Sequence, residues 1–143
     1  MEKAEEKEKN LWEIYDDTQL QELEKLNESY KAFLDAGKTE RECVTEIVRQ
    51  AEAAGYRDLY SMDTVKTGDK VYATWMEKSI ALFNVGSEPL EQGMNILGAH
   101  IDSPRLDLKQ NPLYEDSGFA YFDTHYYGGI KKYQWVTIPL GIH

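Results

Sequence analysis

The sequence predicts an α/β fold in which two N-terminal helices pack on a mixed β-sheet. Three observations carry this prediction. The 143 residues suffice for one domain with a sizeable core. Apolar residues recur at helical spacing over residues 18–55, and β-branched and aromatic residues dominate several segments after residue 69. No internal repeat or linker-like stretch divides the chain.

The charge balance excludes several classes of function. Sixteen basic and 26 acidic residues give a net charge of −10. Nucleic-acid binding needs a basic surface, so no nucleic-acid partner is expected. No apolar run is long enough to cross a membrane, and the N-terminus is charged where a secretion signal would be apolar. We therefore expect a cytoplasmic protein with no membrane partner.

The first predicted segment, residues 1–17, is a charged tail followed by a short apolar patch. Residues 1–9 are almost entirely charged, which is typical of a solvated segment. The apolar patch comprises Leu11, Trp12, Ile14 and Tyr15. Residues 18–143 are assigned to one domain.

The first of the two helices is predicted to begin at Thr18. Gln21 follows three residues later, as in a capping box, where side chain and backbone at a helix start bond reciprocally. Apolar residues then recur at helical spacing as far as Leu34. Gly37 is a suitable end, because glycine adopts the left-handed conformation without strain.

The second helix has a clearer start, because Thr39 and Glu42 fit the capping box in both residue type and spacing. Gly55 is predicted to close it. The predicted buried stripe comprises Cys43, Val44, Ile47, Val48 and Ala51.

The remaining segments are predicted to build the sheet. Residues 69–86 favour a β-hairpin that turns near residue 77. The apolar run at residues 94–99 indicates a buried strand that leads into His100. Residues 103–119 are expected to be loop or edge structure, because they contain two prolines. Two further strands are predicted, at residues 119–127 and 135–138.

His100 and Asp102 form the sharpest chemical pattern in the chain. Catalytic groups of α/β proteins lie just past the carboxyl ends of strands. Residues two apart in an extended segment project to the same side, so Asp102 can hold one imidazole nitrogen while the other binds zinc. The bare His-x-Asp pattern is common, however. Without its flanks it is more often a structural pair bonded to each other or to the local backbone.

The flanking residues make the pattern more specific. Residues 95–109, and above all the stretch Gly-Ala-His-Ile-Asp-Ser-Pro at 98–104, resemble the first metal motif of the aspartyl-aminopeptidase-like family of cocatalytic zinc metallopeptidases. Tyr-Gly-Gly-Ile at 127–130, with Trp135 close behind, resembles the family's Tyr-Gly-Gly-Gly-x-Trp region. The resemblance extends over roughly residues 18–143.

The resemblance implies the N-terminal part of a zinc-peptidase-like catalytic domain, apparently truncated at its C-terminal end. His100 matches the family's first zinc ligand, and Asp102 matches the carboxylate that orients this histidine. The family's other ligands and its general base lie downstream of His143. Members use two zinc ions, or other divalent ions, to activate a water that releases N-terminal residues from peptides, and they form large homo-oligomers. The 143-residue chain alone is therefore expected to be inactive.

Three departures limit what carries over from the family. Ile101 stands where threonine is commoner, Arg105 follows the proline, and Gly128-Gly129 replaces three glycines. Substrate preference is therefore left open. The alternative interpretation is a non-catalytic, truncated or diverged globular chain that self-associates through its aromatic half. His125 is more simply a surface or half-buried residue.

Overall fold

The computed structural model of the chain describes residues 10–143, so the predicted charged run at residues 1–9 lies outside the described residues. Two compact units are present, one ending at Ala36 and the other formed by Gly37–His143. The first contains helices α1 (Leu11–Ile14) and α2 (Asp17–Ala36). None of the described helices is long and apolar enough to cross a membrane.

The capping box of helix α2 lies two residues earlier than the predicted one. Gln19 N donates to Asp16 Oδ1 at 2.9 Å, and Asp16 N donates to Gln19 Oε1 at 3.1 Å. The predicted box at Thr18 is therefore wrong. Aspartate is preferred to threonine as a helix N-cap, and Asp16 is followed three residues later by Gln19, which completes the box. The end of the helix at Ala36, just before Gly37, is as predicted.

Helix α3 (Glu40–Ala53) opens the second unit, and its predicted capping box is confirmed. Glu42 N donates to Thr39 Oγ1 at 3.4 Å, and Thr39 N donates to Glu42 Oε2 at 2.8 Å. Gly55 follows the helix with φ +86°, the left-handed conformation that terminates it. Three residues of the predicted stripe are buried: Cys43, Val44 and Ala51.

A mixed three-stranded sheet carries the core of this unit. Strand β2 (Lys70–Trp75) lies between β1 (Arg57–Asp58), which runs parallel to it, and β3 (Ser79–Asn84), which runs antiparallel. The predicted hairpin is thus confirmed, whereas β1 was missed because two residues show no periodicity. Helix α3 contacts β2 and β3, and Val71 and Tyr72 are buried.

The second sheet is an antiparallel ribbon of β4 (Arg105–Asp116) and β5 (Phe119–Tyr127). β5 is confirmed. Of the loop or edge structure expected at residues 103–119, the structure has the edge alternative, because most of that segment is β4 in a two-stranded ribbon. Pro112 is accommodated at an irregularity of the register between Leu108 and Leu113, where its missing N–H costs no ladder bond.

Two other predicted strands are absent from the described part of the chain. Residues 94–99 have no regular structure, and Leu97 is fully exposed. A strand must pair its backbone with a neighbour, and no described strand pairs with this run. Residues 135–138 instead hold the last residue of the short helix α4 (Lys132–Trp135) and the turn after it, because short apolar runs do not distinguish a strand from a helical turn.

The capping box of α3 predicts a specific loss of stability. Thr39→Ala removes the acceptor for Glu42 N and should lower the free energy of unfolding by about 1 kcal/mol, measured by urea denaturation. Thr45→Ala is the matched control, because Thr45 is exposed in the middle of the same helix and alanine is the better helix former there. Equal losses in both variants would contradict the capping role.

Candidate metal centre

The loop at residues 99–104 has no regular secondary structure and is held by contacts to other elements. Cys43 Sγ, buried on α3, lies 3.5 Å from the carbonyl oxygen of Ile101 as a weak donor. Gly128, just after β5, approaches Pro104 so closely that an added Cβ would lie 3.3 Å from Pro104 Cα. Gly128 also has φ +74°, so the position favours glycine on both counts.

His100 and Asp102 are in direct contact within this loop. His100 Nδ1 lies 3.0 Å from Asp102 Oδ1 and 3.1 Å from the Asp102 backbone oxygen. Both oxygens are acceptors when the carboxylate is ionised, so Nδ1 must carry the proton. The neutral ring then keeps its lone pair on Nε2. Because the His100 side chain is 83% exposed, this nitrogen belongs to an accessible ring.

The second oxygen of Asp102 is held by Tyr127. Tyr127 Oη donates to Asp102 Oδ2 at 3.2 Å. This hydrogen bond is the main cause that lowers the pKa of Asp102, and the contact with His100 adds to it. The same bond raises the pKa of Tyr127. Asp102 therefore stays an ionised acceptor at neutral pH, as the Nδ1–H tautomer of His100 requires.

The structure brings together the two residues singled out from the sequence, and it adds Tyr127, whose contact with Asp102 was missed. Tyr127 is 25 residues away from Asp102, so only its place in the second stretch of family resemblance pointed to it. His125 lies opposite Asp107 in the β4–β5 ladder. Within residues 10–143, no three metal-binding side chains converge on one point.

An accessible imidazole backed by a carboxylate is the arrangement in which metal-binding histidines are usually held, and zinc enzymes are the class of protein that this pair suits. The comparison with protein families narrows this class. Residues 33–143 match the aminopeptidase I zinc metalloproteases, family M18. The chain belongs to this family, which confirms the resemblance inferred from the sequence.

Individual relatives support the same assignment. The chain is 58% identical over 139 residues to a probable M18 family aminopeptidase 1 of Clostridium acetobutylicum, covering 94% of this chain and 30% of the relative. The crystal structure of aminopeptidase I from Borrelia burgdorferi superposes with a TM-score of 0.84 at 38% identity, over 92% of this chain and 32% of that one. An M18 aminopeptidase structure from Thermotoga maritima gives 0.81 at 44% identity, over 93% and 29%.

These figures also fix the extent of the match. The chain spans about a third of the length of the relatives that it resembles. The α/β architecture with a mixed sheet is therefore that of one segment of M18 aminopeptidases.

The contact between His100 and Asp102 predicts a definite tautomer. In long-range ¹H–¹⁵N spectra recorded above the pH at which the rings titrate, neutral His100 should carry its proton on Nδ1. Asp102→Ala removes the carboxylate and leaves only the backbone oxygen of residue 102 as an acceptor, so the share of the Nε2–H tautomer should rise. His143 is an internal control of opposite sense, since its Nε2 lies 2.8 Å from Glu42 Oε1. A His100 tautomer that is unchanged by Asp102→Ala would contradict the geometry.

Proposed function

We propose that this chain supplies the first metal ligand, His100, and the carboxylate that orients it, Asp102, to a dinuclear zinc aminopeptidase. The reaction is the release of N-terminal residues from peptides by a metal-activated water. The observation that carries the proposal is the 3.0 Å contact between His100 Nδ1 and Asp102 Oδ1 in a chain of the M18 family. The relatives named as aminopeptidases support the same reaction.

The residues present fit a zinc ion as far as they extend. Neutral imidazole nitrogen is a preferred zinc ligand, and Nε2 of His100 has its lone pair available. A catalytic zinc takes three protein ligands and an open position. The described residues contain no group of three such side chains, so a complete site needs ligands that residues 10–143 do not supply.

The chain's own residues have distinct tasks in this reaction. A bound zinc pair would act as a Lewis acid, lowering the pKa of a bound water and polarising the scissile carbonyl. His100 would hold zinc through the Nε2 lone pair while it keeps its proton on Nδ1. Asp102 accepts the hydrogen bond from Nδ1–H of His100, and the hydroxyl of Tyr127 keeps the carboxylate ionised. Asp102 therefore acts as a positioning residue and transfers no proton.

Further properties stay predictions. We expect peptide substrates, a cytoplasmic location and a large homo-oligomer for the complete enzyme, and we expect the chain alone to be inactive. The second candidate function, self-association without catalysis, is favoured by the β4–β5 ribbon, on which several large apolar side chains are more than half exposed. These include Leu108, Leu113, Phe119 and Phe122.

Sedimentation and a peptidase assay of the chain test one expectation of each candidate. We expect concentration-dependent association through the exposed apolar residues, with no release of amino acids from peptides. Peptidase activity of the chain alone would contradict the proposal that its metal site needs ligands from elsewhere. A stable monomer would remove the support for self-association.

The role of His100 can be tested in a chimaeric enzyme. In it, this chain replaces the matching 139 residues of the Clostridium acetobutylicum relative. His100→Ala removes a first ligand, so zinc content should fall by at least one ion per subunit and peptide hydrolysis should be lost. His125→Ala, on β5, is the matched control and should keep both. Unchanged zinc content and activity in His100→Ala would remove this residue from the mechanism.

The role of Asp102 calls for a milder change. Asp102→Asn keeps the size of the side chain but replaces an ionised acceptor with an amide, so His100 loses its charge-assisted hydrogen bond. Zinc affinity of the chimaera should fall by about 10–100-fold, the usual effect of a residue that orients a metal ligand. Competition with a chromophoric chelator measures it. An affinity equal to that of the parent chimaera would show that Asp102 does not orient the ligand.

A further inference from the structure

We infer that Arg105 is a positioning residue for the metal ligand and acts through Tyr127 and Asp102. The inference rests on the proposed function, because it assigns a purpose to Arg105 in the presentation of His100. The argument follows three successive contacts outward from the imidazole. The first two, His100 to Asp102 and Asp102 to Tyr127, are described above. The third joins Tyr127 to Arg105.

Arg105 lies directly opposite Tyr127 in the β4–β5 ladder. Its guanidinium carbon is 4.2 Å from the centre of the Tyr127 ring, within the range of a cation–π contact. Arg105 is the first residue of β4 and Tyr127 is the last residue of β5. The ring whose hydroxyl reaches Asp102 is therefore held by a cross-strand pair. Tyr127 is 39% exposed, so packing covers only part of this residue.

Two carboxylates hold the guanidinium in place. Arg105 Nε donates to Asp107 Oδ1 at 2.9 Å, and Nη1 lies 3.4 Å from Glu40 Oε1. Glu40 begins helix α3, and Asp107 lies two residues along β4. The planar fork of arginine can make both contacts while its face covers a ring, a combination that a lysine ammonium cannot reproduce. Arg105 thus ties α3 and both strands of the ribbon to one tyrosine ring.

The consequence is a continuous line of contacts from α3 to the imidazole. Glu40 and Asp107 hold Arg105, Arg105 holds the Tyr127 ring, and the Tyr127 hydroxyl fixes Asp102. The loop that carries His100 has no secondary structure of its own, so its geometry depends on such contacts.

The chain offers a matched control for the cation–π contact. Lys132 Nζ lies 4.0 Å from the centre of the Tyr126 ring, one residue before Tyr127 on β5. The distance is comparable and Tyr126 also lies on β5, but Lys132 comes from helix α4 and not from the paired strand. The hydrogen bond to Asp102, however, comes from Tyr127. Lys132→Gln therefore removes a similar contact outside the line that leads to His100.

The test uses the full 143-residue chain with Arg105→Gln, Arg105→Lys, Tyr127→Phe and Lys132→Gln. The first readout is the ratio of Nδ1–H to Nε2–H tautomers of His100 in the metal-free chain. The second is the dissociation constant of Zn²⁺ at His100, followed by the shift of its ring signals in a titration with the metal alone. Circular dichroism checks that each variant is folded.

We expect Arg105→Gln and Tyr127→Phe to lower the tautomer ratio at least about twofold and to weaken Zn²⁺ about three- to tenfold, less than the change of a residue that holds a ligand directly. Arg105→Lys should restore only part of the effect, and Lys132→Gln should change neither readout. Tyr127→Phe keeps the ring over the guanidinium, so it tests the line of contacts even if Arg105→Gln does not fold.

Two results would overturn the inference. One is an unchanged tautomer ratio in Arg105→Gln or Tyr127→Phe, and the other is an equal change in Lys132→Gln. The His100→Ala chimaera separates this failure from failure of the proposed function. Loss of zinc and of peptide hydrolysis in that chimaera, with normal Zn²⁺ affinity in folded Arg105→Gln, removes the role of Arg105 and leaves the proposed function intact. In the wild-type chain, Zn²⁺ shifts that spare the His100 ring would overturn both.

Discussion

The hydrogen bond from His100 Nδ1 to Asp102 Oδ1 is the interaction on which the candidate site depends. An imidazole can bind a metal through only one nitrogen at a time, and the proton on the other nitrogen decides which one is free. Here the carboxylate of Asp102 accepts the hydrogen bond from Nδ1 and thereby leaves Nε2 free. Tyr127 in turn donates to the second oxygen of this carboxylate and lowers the pKa of Asp102.

The site also explains why two distant stretches of sequence together carry the family resemblance. Residues 98–104 and Tyr127-Gly128 meet in space because β4 and β5 pair with Arg105 opposite Tyr127. That register places Gly128 against Pro104 and the tyrosine hydroxyl against Asp102. The ribbon, although it contributes little buried core, thus positions the loop that carries His100.

Local signals in the sequence were sufficient where local contacts decide the structure. The capping box at Thr39, the hairpin of β2 and β3 and the adjacency of His100 and Asp102 all involve residues close in the chain. The errors share a different cause. Residues 94–99 are apolar but lack a pairing strand among the described residues. Strand β4 forms despite its proline, because β5 supplies a pairing partner. The contact of Tyr127 with Asp102 depends on the same long-range pairing.

Anomalous diffraction at the zinc absorption edge, from crystals of the chimaeric enzyme, tests the central claim most directly. The account predicts a zinc peak about 2.0–2.1 Å from Nε2 of His100, with Nδ1 still bonded to Asp102. A zinc ion bound through Nδ1, or zinc peaks that all lie away from His100, would contradict it.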